Sequence, residues 1–303
     1  MRKAWISPAA GAWYQNSRMT LEYDMEHFKR EISVLRKRNI CAVVVPHAAY
    51  RFSGKTAARV FLRLDARQYD RIVILAPSHF EEFRNQISVP DATHVITPLG
   101  ELRMDLVWLR RLRELPFVTH LPSAHTREHS DQIQLPMIQS YVSRRLPVAC
   151  LICGQFDAHT LLETAEALRP LVDSRTLLVV SSDFTHFGAN FGDLPSLPSA
   201  ATLGHEGGDT GNMFELFASG NLKYFMRYLK YLGHRLCSRD PLPLLMALMP
   251  HGARVSRIGD SAPEGTQYAG AWVEGQWPVP PYVPARPISI VNPKGTNPCP
   301  KQN

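Results

Sequence analysis

Cys41-Ala42-Val43-Val44-Val45-Pro46-His47 is the stretch on which the fold turns: five apolar residues, a proline that cannot extend a sheet ladder, then a histidine. Short apolar runs of this kind suit strands buried on both faces, as in α/β sheets. Three further runs repeat the pattern: Arg71-Ile72-Val73-Ile74-Leu75, Pro147-Val148-Ala149-Cys150-Leu151-Ile152 and Thr176-Leu177-Leu178-Val179-Val180. Helical patterns lie between and beyond them, at residues 23–38, 53–64, 105–115, 132–145, 159–171, 222–232 and 241–249. Strands alternating with helices predict one layered α/β domain over residues 1–274.

The 303 residues, 45% hydrophobic and 20% charged, are enough for a large core and exclude disorder over most of the chain. No run of eighteen apolar residues occurs, and the apolar stretch near the N-terminus, broken by Pro8 and Gly11, is too short for a signal-peptide core. Five scattered cysteines make no disulfide framework, which places the expected compartment in the reducing cytoplasm and leaves thiols available as ligands. Cys150 and Cys153 mimic a Cys-x-x-Cys motif, but three apart on a strand they face opposite sides and read as core. The net charge of +7 is spread in short clusters such as Arg36-Lys37-Arg38, without a helix-turn-helix, RNP or zinc-finger signature. That distribution argues against nucleic acid and fits an anionic substrate. From Gly275 onward eight prolines forbid a regular helix or a central strand, giving an extended, partly disordered tail over 275–303. A second irregular region, residues 190–212, has the length of a lid or binding loop.

Chemistry collects where strands end. The run at 41–45 leads to His47, that at 71–75 to His79, and that at 176–180 to Ser181-Ser182-Asp183-Phe184-Thr185-His186. In open α/β sheets the carboxyl edge is where loops converge on a ligand crevice. One histidine in such a place reads as structural; three with the same placement read as a shared site. Imidazole suits iron, copper and zinc alike. Cys237, beside Arg235 and Arg239 and just before Asp240-Pro241 at a predicted helix start, is the best-placed thiol, since those neighbours favour a thiolate. Asp183, three residues before His186, is placed to orient it or to cap the following turn.

Pro46-His47-Ala48-Ala49-Tyr50, Pro77-Ser78-His79, Thr97-Pro98-Leu99-Gly100, Glu128-His129-Ser130, Gln134-Leu135-Pro136, the 181–188 segment and Tyr268-Ala269-Gly270-Ala271 occur in the order seen in the Memo family, which this chain resembles over about residues 5–273. Gly11-Ala12-Trp13-Tyr14 resembles that family's opening motif. The resemblance implies a single-domain three-layer αβα sandwich with a mostly parallel or mixed sheet, like that of the class III extradiol ring-cleaving dioxygenases. It also implies a metal held by His47, His79 and Cys237, with Fe(II) expected, copper the alternative, and zinc third. Asp183, His186 and His129 come with it as proton-handling residues, and Tyr50, Glu128 and Arg239 as weaker substrate contacts. Glu128 alternatively caps the helix expected near Asp131.

Three departures from the family pattern are Ala49 for its glycine, Gln132 for its acidic residue after Glu-His-Ser, and Ser238 after the cysteine. The expected function is a non-haem iron oxidase or dioxygenase using O2 on a small or peptide-borne substrate. A non-catalytic phosphopeptide- or protein-binding module and a zinc-dependent hydrolase are the two alternatives.

Overall fold

A computed structural model of the chain describes residues 2–30, 32–33, 36–143, 145–184, 213–232, 240–261 and 267–278. Among them, two sheets form. The smaller joins β1 (Ala4–Ile6), β5 (His94–Thr97) and β6 (Gly100–Arg103), with β5 in the middle. The larger has eight strands: β2 (Ile40–Val45), β3 (Arg71–Pro77), β4 (Ile87–Ser88), β7 (Val118–Thr119), β8 (Val148–Cys153), β9 (Thr176–Ser181), β10 (Arg254–Ser261) and β11 (Gln267–Glu274). They lie in the order β10-β11-β2-β9-β3-β8-β4-β7.

The four apolar runs read from the sequence are its centre, β2, β9, β3 and β8, all parallel. Apart from half-buried Arg71 at one end, every residue in them is buried. Because side chains alternate between faces, that pattern requires cover on both sides of the sheet. The helices α1 (Arg18–Lys29), α2 (Tyr50–Phe61), α3 (Leu106–Leu112), α4 (Ser123–Thr126), α5 (Gln134–Met137), α6 (Ala158–Leu168), α7 (Met213–Ala218), α8 (Leu222–Leu232) and α9 (Pro241–Leu248) supply it. Helix α2 packs on β2 and β11, and α9 on β3 and β9. No helix among the described residues is long and apolar enough to cross a membrane.

Three local expectations change. The helix expected at 23–38 is α1, displaced toward the N-terminus: Ser17 caps it through Thr20 N, 3.3 Å, and it stops at Lys29. Lys37 then pairs with Leu64, and Asn39 takes a positive φ of 61°, which turns the chain into β2. The pattern at 132–145 divides into α5 and a π-helical turn, Ile138–Val142. At α9 Pro241 holds the first helical position as expected, but the Asp240 side chain makes no cap hydrogen bond. The β10–β11 hairpin adds an antiparallel flank, so the sheet is mixed. The core also reaches into the proline-rich segment, because the Trp277 indole N–H donates to the carbonyls of Cys41 and Thr176 at 3.2 and 3.1 Å.

The strand register delivers the site. Val45 pairs with Ser181, so His47 and Asp183, each two residues further on, arrive side by side on neighbouring strands. Next to β9, β3 carries His79 to the same edge.

Candidate metal centre

Three imidazoles meet at the carboxyl edge of the parallel strands. Ring centroids are 5.0 Å apart for His47 and His79, 4.8 Å for His79 and His129, and 5.8 Å for His47 and His129. His47 and His129 are buried, whereas the His79 side chain is 24% exposed and opens toward solvent. Phe80, 44% exposed, sits at this mouth with its ring 6.3 Å from that of His129, and the Arg127 guanidinium lies 4.7 Å over the Phe80 ring.

Each of the two strand-end histidines is held in one tautomer. His79 Nδ1 lies 2.9 Å from Glu128 Oε1, and Glu128 is ionised: burial pushes its carboxyl up, but the His79 ring and backbone N–H groups outweigh it and bring it to about 2. An ionised carboxylate only accepts, so His79 Nδ1 carries the proton and Nε2 the lone pair. At His47, Nδ1 faces Ser181 Oγ at 3.3 Å. The Ser181 hydroxyl donates its one proton to Ser130 O at 2.5 Å, so it offers His47 a lone pair, and Nδ1 again holds the proton. His47 Nε2 is then a buried lone pair with no hydrogen-bond partner among the described residues, 3.8 Å from Asp183 Oδ2.

Ligand-type atoms of His79, Glu128 and His129 also lie within 4.8 Å of one another. Glu128 is poorly suited to ligate, however. Its Oε1 accepts from His79 Nδ1, His129 N and Ser130 N, and its Oε2 from His79 N at 2.7 Å. It orients the His79 ring, the place a carboxylate takes behind a histidine that ligates a metal. That corrects two expectations: Glu128 is fully buried, neither a substrate contact nor a helix cap.

The turn that Asp183 could cap, and His186 which it could orient, lie outside the described residues, and what Asp183 holds within them is His47. Asp183 Oδ1 accepts from His47 N at 3.0 Å and fixes the His47 backbone. The Tyr50 hydroxyl donates to Ile133 O at 2.6 Å, so Tyr50 can offer a ligand only its ring. His186, Cys237 and Arg239, together with the whole 190–212 loop and the tail beyond residue 278, lie outside the described residues.

Two contributors escaped the sequence reading. Trp13 stacks flat on His129, centroids 3.5 Å apart and planes 5° from parallel. Ser181 ties His47 to Gln134, whose Nε2 donates to Ser181 Oγ at 2.9 Å. Trp13 stands in a motif already singled out, but nothing in the sequence points from residue 13 to residue 129.

The family's acidic position after Glu-His-Ser is Gln132 here, yet a carboxyl stands one residue earlier. Asp131 is fully buried; the Gln132 amide donates to its Oδ2 at 3.1 Å, and its Oδ1 has no partner among the described residues. Burial, reinforced by the charge of Glu128, raises its carboxyl to about 8. The folded state therefore keeps this proton to about pH 8, whereas an unfolded aspartate releases it near pH ~4. The folded protein binds the extra proton across that window, so stability falls as pH rises through it. Asp131→Asn removes the slope, and its advantage over wild type grows by about 1 kcal/mol per pH unit between roughly pH 4 and 8. Thermal unfolding at pH 5 and pH 8 in matched buffers reads it; equal gaps at the two values would contradict the assignment.

The family described as Memo-like protein matches residues 7–258. A yeast relative, MEMO1 family protein MHO1 of Saccharomyces cerevisiae, is 24% identical, with 90% of this chain and 92% of that protein aligned. A MEMO1 family protein of Schizosaccharomyces pombe is 27% identical over 79% of this chain and 85% of its own length. The Protein memo-1 homolog of Caenorhabditis elegans is 26% identical over 80% and 70%. A family match spanning most of the α/β domain, together with a yeast relative aligned over 92% of its length, establishes that this chain belongs to the Memo family.

Proposed function

We propose that this protein is a metal-dependent oxidoreductase, holding iron between His47, His79 and Cys237 and using dioxygen on a small or peptide-borne substrate. The observation that carries the reading is the pair of locked tautomers, in which Glu128 and Ser181 leave both histidines presenting Nε2 lone pairs. A buried imidazole nitrogen without a hydrogen-bond partner, as at His47 Nε2, fits a metal ligand better than a core histidine. Cys237, outside the described residues, enters as third ligand from the family resemblance. Two imidazoles and a thiolate suit iron and copper, with zinc third.

Iron bound there supplies redox chemistry that no side chain can provide. The chain supplies the rest. Trp13 holds the His129 imidazole in place beside His47 and His79, where it can accept or deliver a proton. Asp183 fixes the His47 main chain, and Phe80 with Arg127 borders the exposed side, where a cation favours an anionic substrate.

The test is metal analysis and oxygen uptake on protein purified anaerobically, wild type beside Cys237→Ala. Stoichiometric iron or copper in the wild type, with metal and uptake lost together in the variant, is the expected result. Full zinc occupancy without oxygen uptake would transfer the case to a hydrolase, and unchanged metal content in Cys237→Ala would remove the thiol from the site.

A further inference from the structure

A cavity of about 410 Å3 lies between α1, the loop at residues 11–15 and the first turn of α2, a size in the range of small-molecule pockets. Aromatic side chains and polar groups share its lining, with more polar than apolar surface exposed to it. Trp13, Phe28 and Tyr50 line it together with Tyr14, with centroids 5.5 Å apart for Tyr14 and Tyr50 and 6.1 Å for Phe28 and Tyr50. Both tyrosine hydroxyls are engaged, with Ser7 Oγ and with Ile133 O, so the rings are fixed. Phe28 seats where α2 carries Gly54: a Cβ there would lie 2.5 Å from its Cζ.

Two opposite charges line the same cavity, Asp24 from α1 and Arg51 from α2. They do not pair with each other, and neither has an ion-pair partner among the described residues. The Arg51 guanidinium rests 4.5 Å over the Phe52 ring, and Asp24 is half-buried with only His27 moderating its charge. Unpaired charges of both signs, separated inside an aromatic pocket, are complementary to a molecule that carries both charges itself.

We propose that this cavity binds a zwitterionic ligand of amino-acid type, with its ammonium on Asp24, its carboxylate on Arg51 and an apolar or aromatic side chain against Trp13, Phe28 and Tyr50. An ammonium gains from the ring faces as well as from the carboxylate. The guanidinium fork matches a carboxylate in two-pronged fashion. Trp13 is shared with the histidine cluster through its stack on His129, so occupancy of the cavity reports at the edge of the metal centre. The proposal does not depend on the metal reading, because its test is binding alone.

The test is calorimetric and fluorescence titration of the full-length protein with L-phenylalanine and L-leucine, beside 2-phenylethylamine and 3-phenylpropionate, which each lack one of the two charges. The amino acids should bind saturably, and each singly charged analogue about tenfold or more weakly than L-phenylalanine. Asp24→Asn should erase the advantage over 3-phenylpropionate, and Arg51→Gln the advantage over 2-phenylethylamine. Trp13→Phe should keep the calorimetric signal and lose most of the fluorescence change. Absence of binding by both amino acids, equal binding of the singly charged analogues, or unchanged affinity in both charge variants would each overturn it.

Discussion

Glu128→Ala destabilises the protein by about 3–5 kcal/mol, lowering its melting temperature by about 10 °C. Four donors converge on this carboxylate: the backbone N–H groups of His79, His129 and Ser130, and the His79 ring. The carboxylate is fully buried, and a water entering the space left by alanine replaces neither its charge nor all of its hydrogen bonds. Alanine leaves those N–H groups without their acceptor and frees the His79 ring to rotate. Glu128→Gln is milder for folding, since one amide oxygen still accepts, but its NH2 then faces donors and the pull on His79 Nδ1 weakens. For that variant the expected loss is about 10- to 100-fold in metal affinity, read by competition with a chelator.

The same residue sets an acid limit. Its carboxyl titrates at about 2 in the folded protein, against about 4.3 for an unperturbed glutamate. The unfolded chain takes up the proton first, so this contribution is complete above about pH 5 and is lost as pH falls toward 2. Glu128→Gln flattens that part of the stability profile. An unchanged profile in the variant would show that some other carboxylate controls acid unfolding.

How much of this was legible in the sequence depends on how local the cause is. The parallel centre could be read because each strand is an unbroken apolar run, a pattern set by burial on both faces. His47, His79 and Asp183 could be located because a polar residue directly after such a run must emerge at the carboxyl edge. The β10–β11 hairpin was missed because Arg254, Ser256, Arg257 and Asp260 leave β10 too polar to look like a strand of this sheet. The basic residues up to Arg38 continue a helical composition past the end of α1, whereas the turn at Asn39 is imposed by the pairing of β2.

Within the site, the missing information is of a different kind. Glu128 stands 49 residues from His79, and most of its partners are backbone N–H groups, which carry no side-chain signature. Beside its own histidine it looked like a helix cap or a substrate contact. The stack of Trp13 on His129 likewise exists only because the N-terminal loop folds back over the sheet edge. The strand-end histidines are thus announced by position, and the residues that set their tautomers only by the fold.

His47→Leu abolishes stoichiometric metal binding while leaving the metal-free protein about as stable as metal-free wild type, within roughly 1 kcal/mol. The reason lies in what His47 does without a metal. Its Nε2 is buried and accepts no hydrogen bond, and its Nδ1 has one long contact, 3.3 Å to Ser181. A buried polar atom left unsatisfied is a liability to folding, so an apolar side chain of comparable volume gives up little. Wild type should gain about 2.7 kcal/mol from iron(II) supplied at a hundredfold excess over its dissociation constant, and His47→Leu nothing. His79→Ala should also lose the metal, but with a cost to the metal-free protein, because it strips a donor from buried Glu128. Anaerobic thermal unfolding with and without iron(II) separates the two histidines: a metal-induced shift that survives in His47→Leu would exclude that imidazole from the metal site, and a large loss in the metal-free variant would make it a core residue instead.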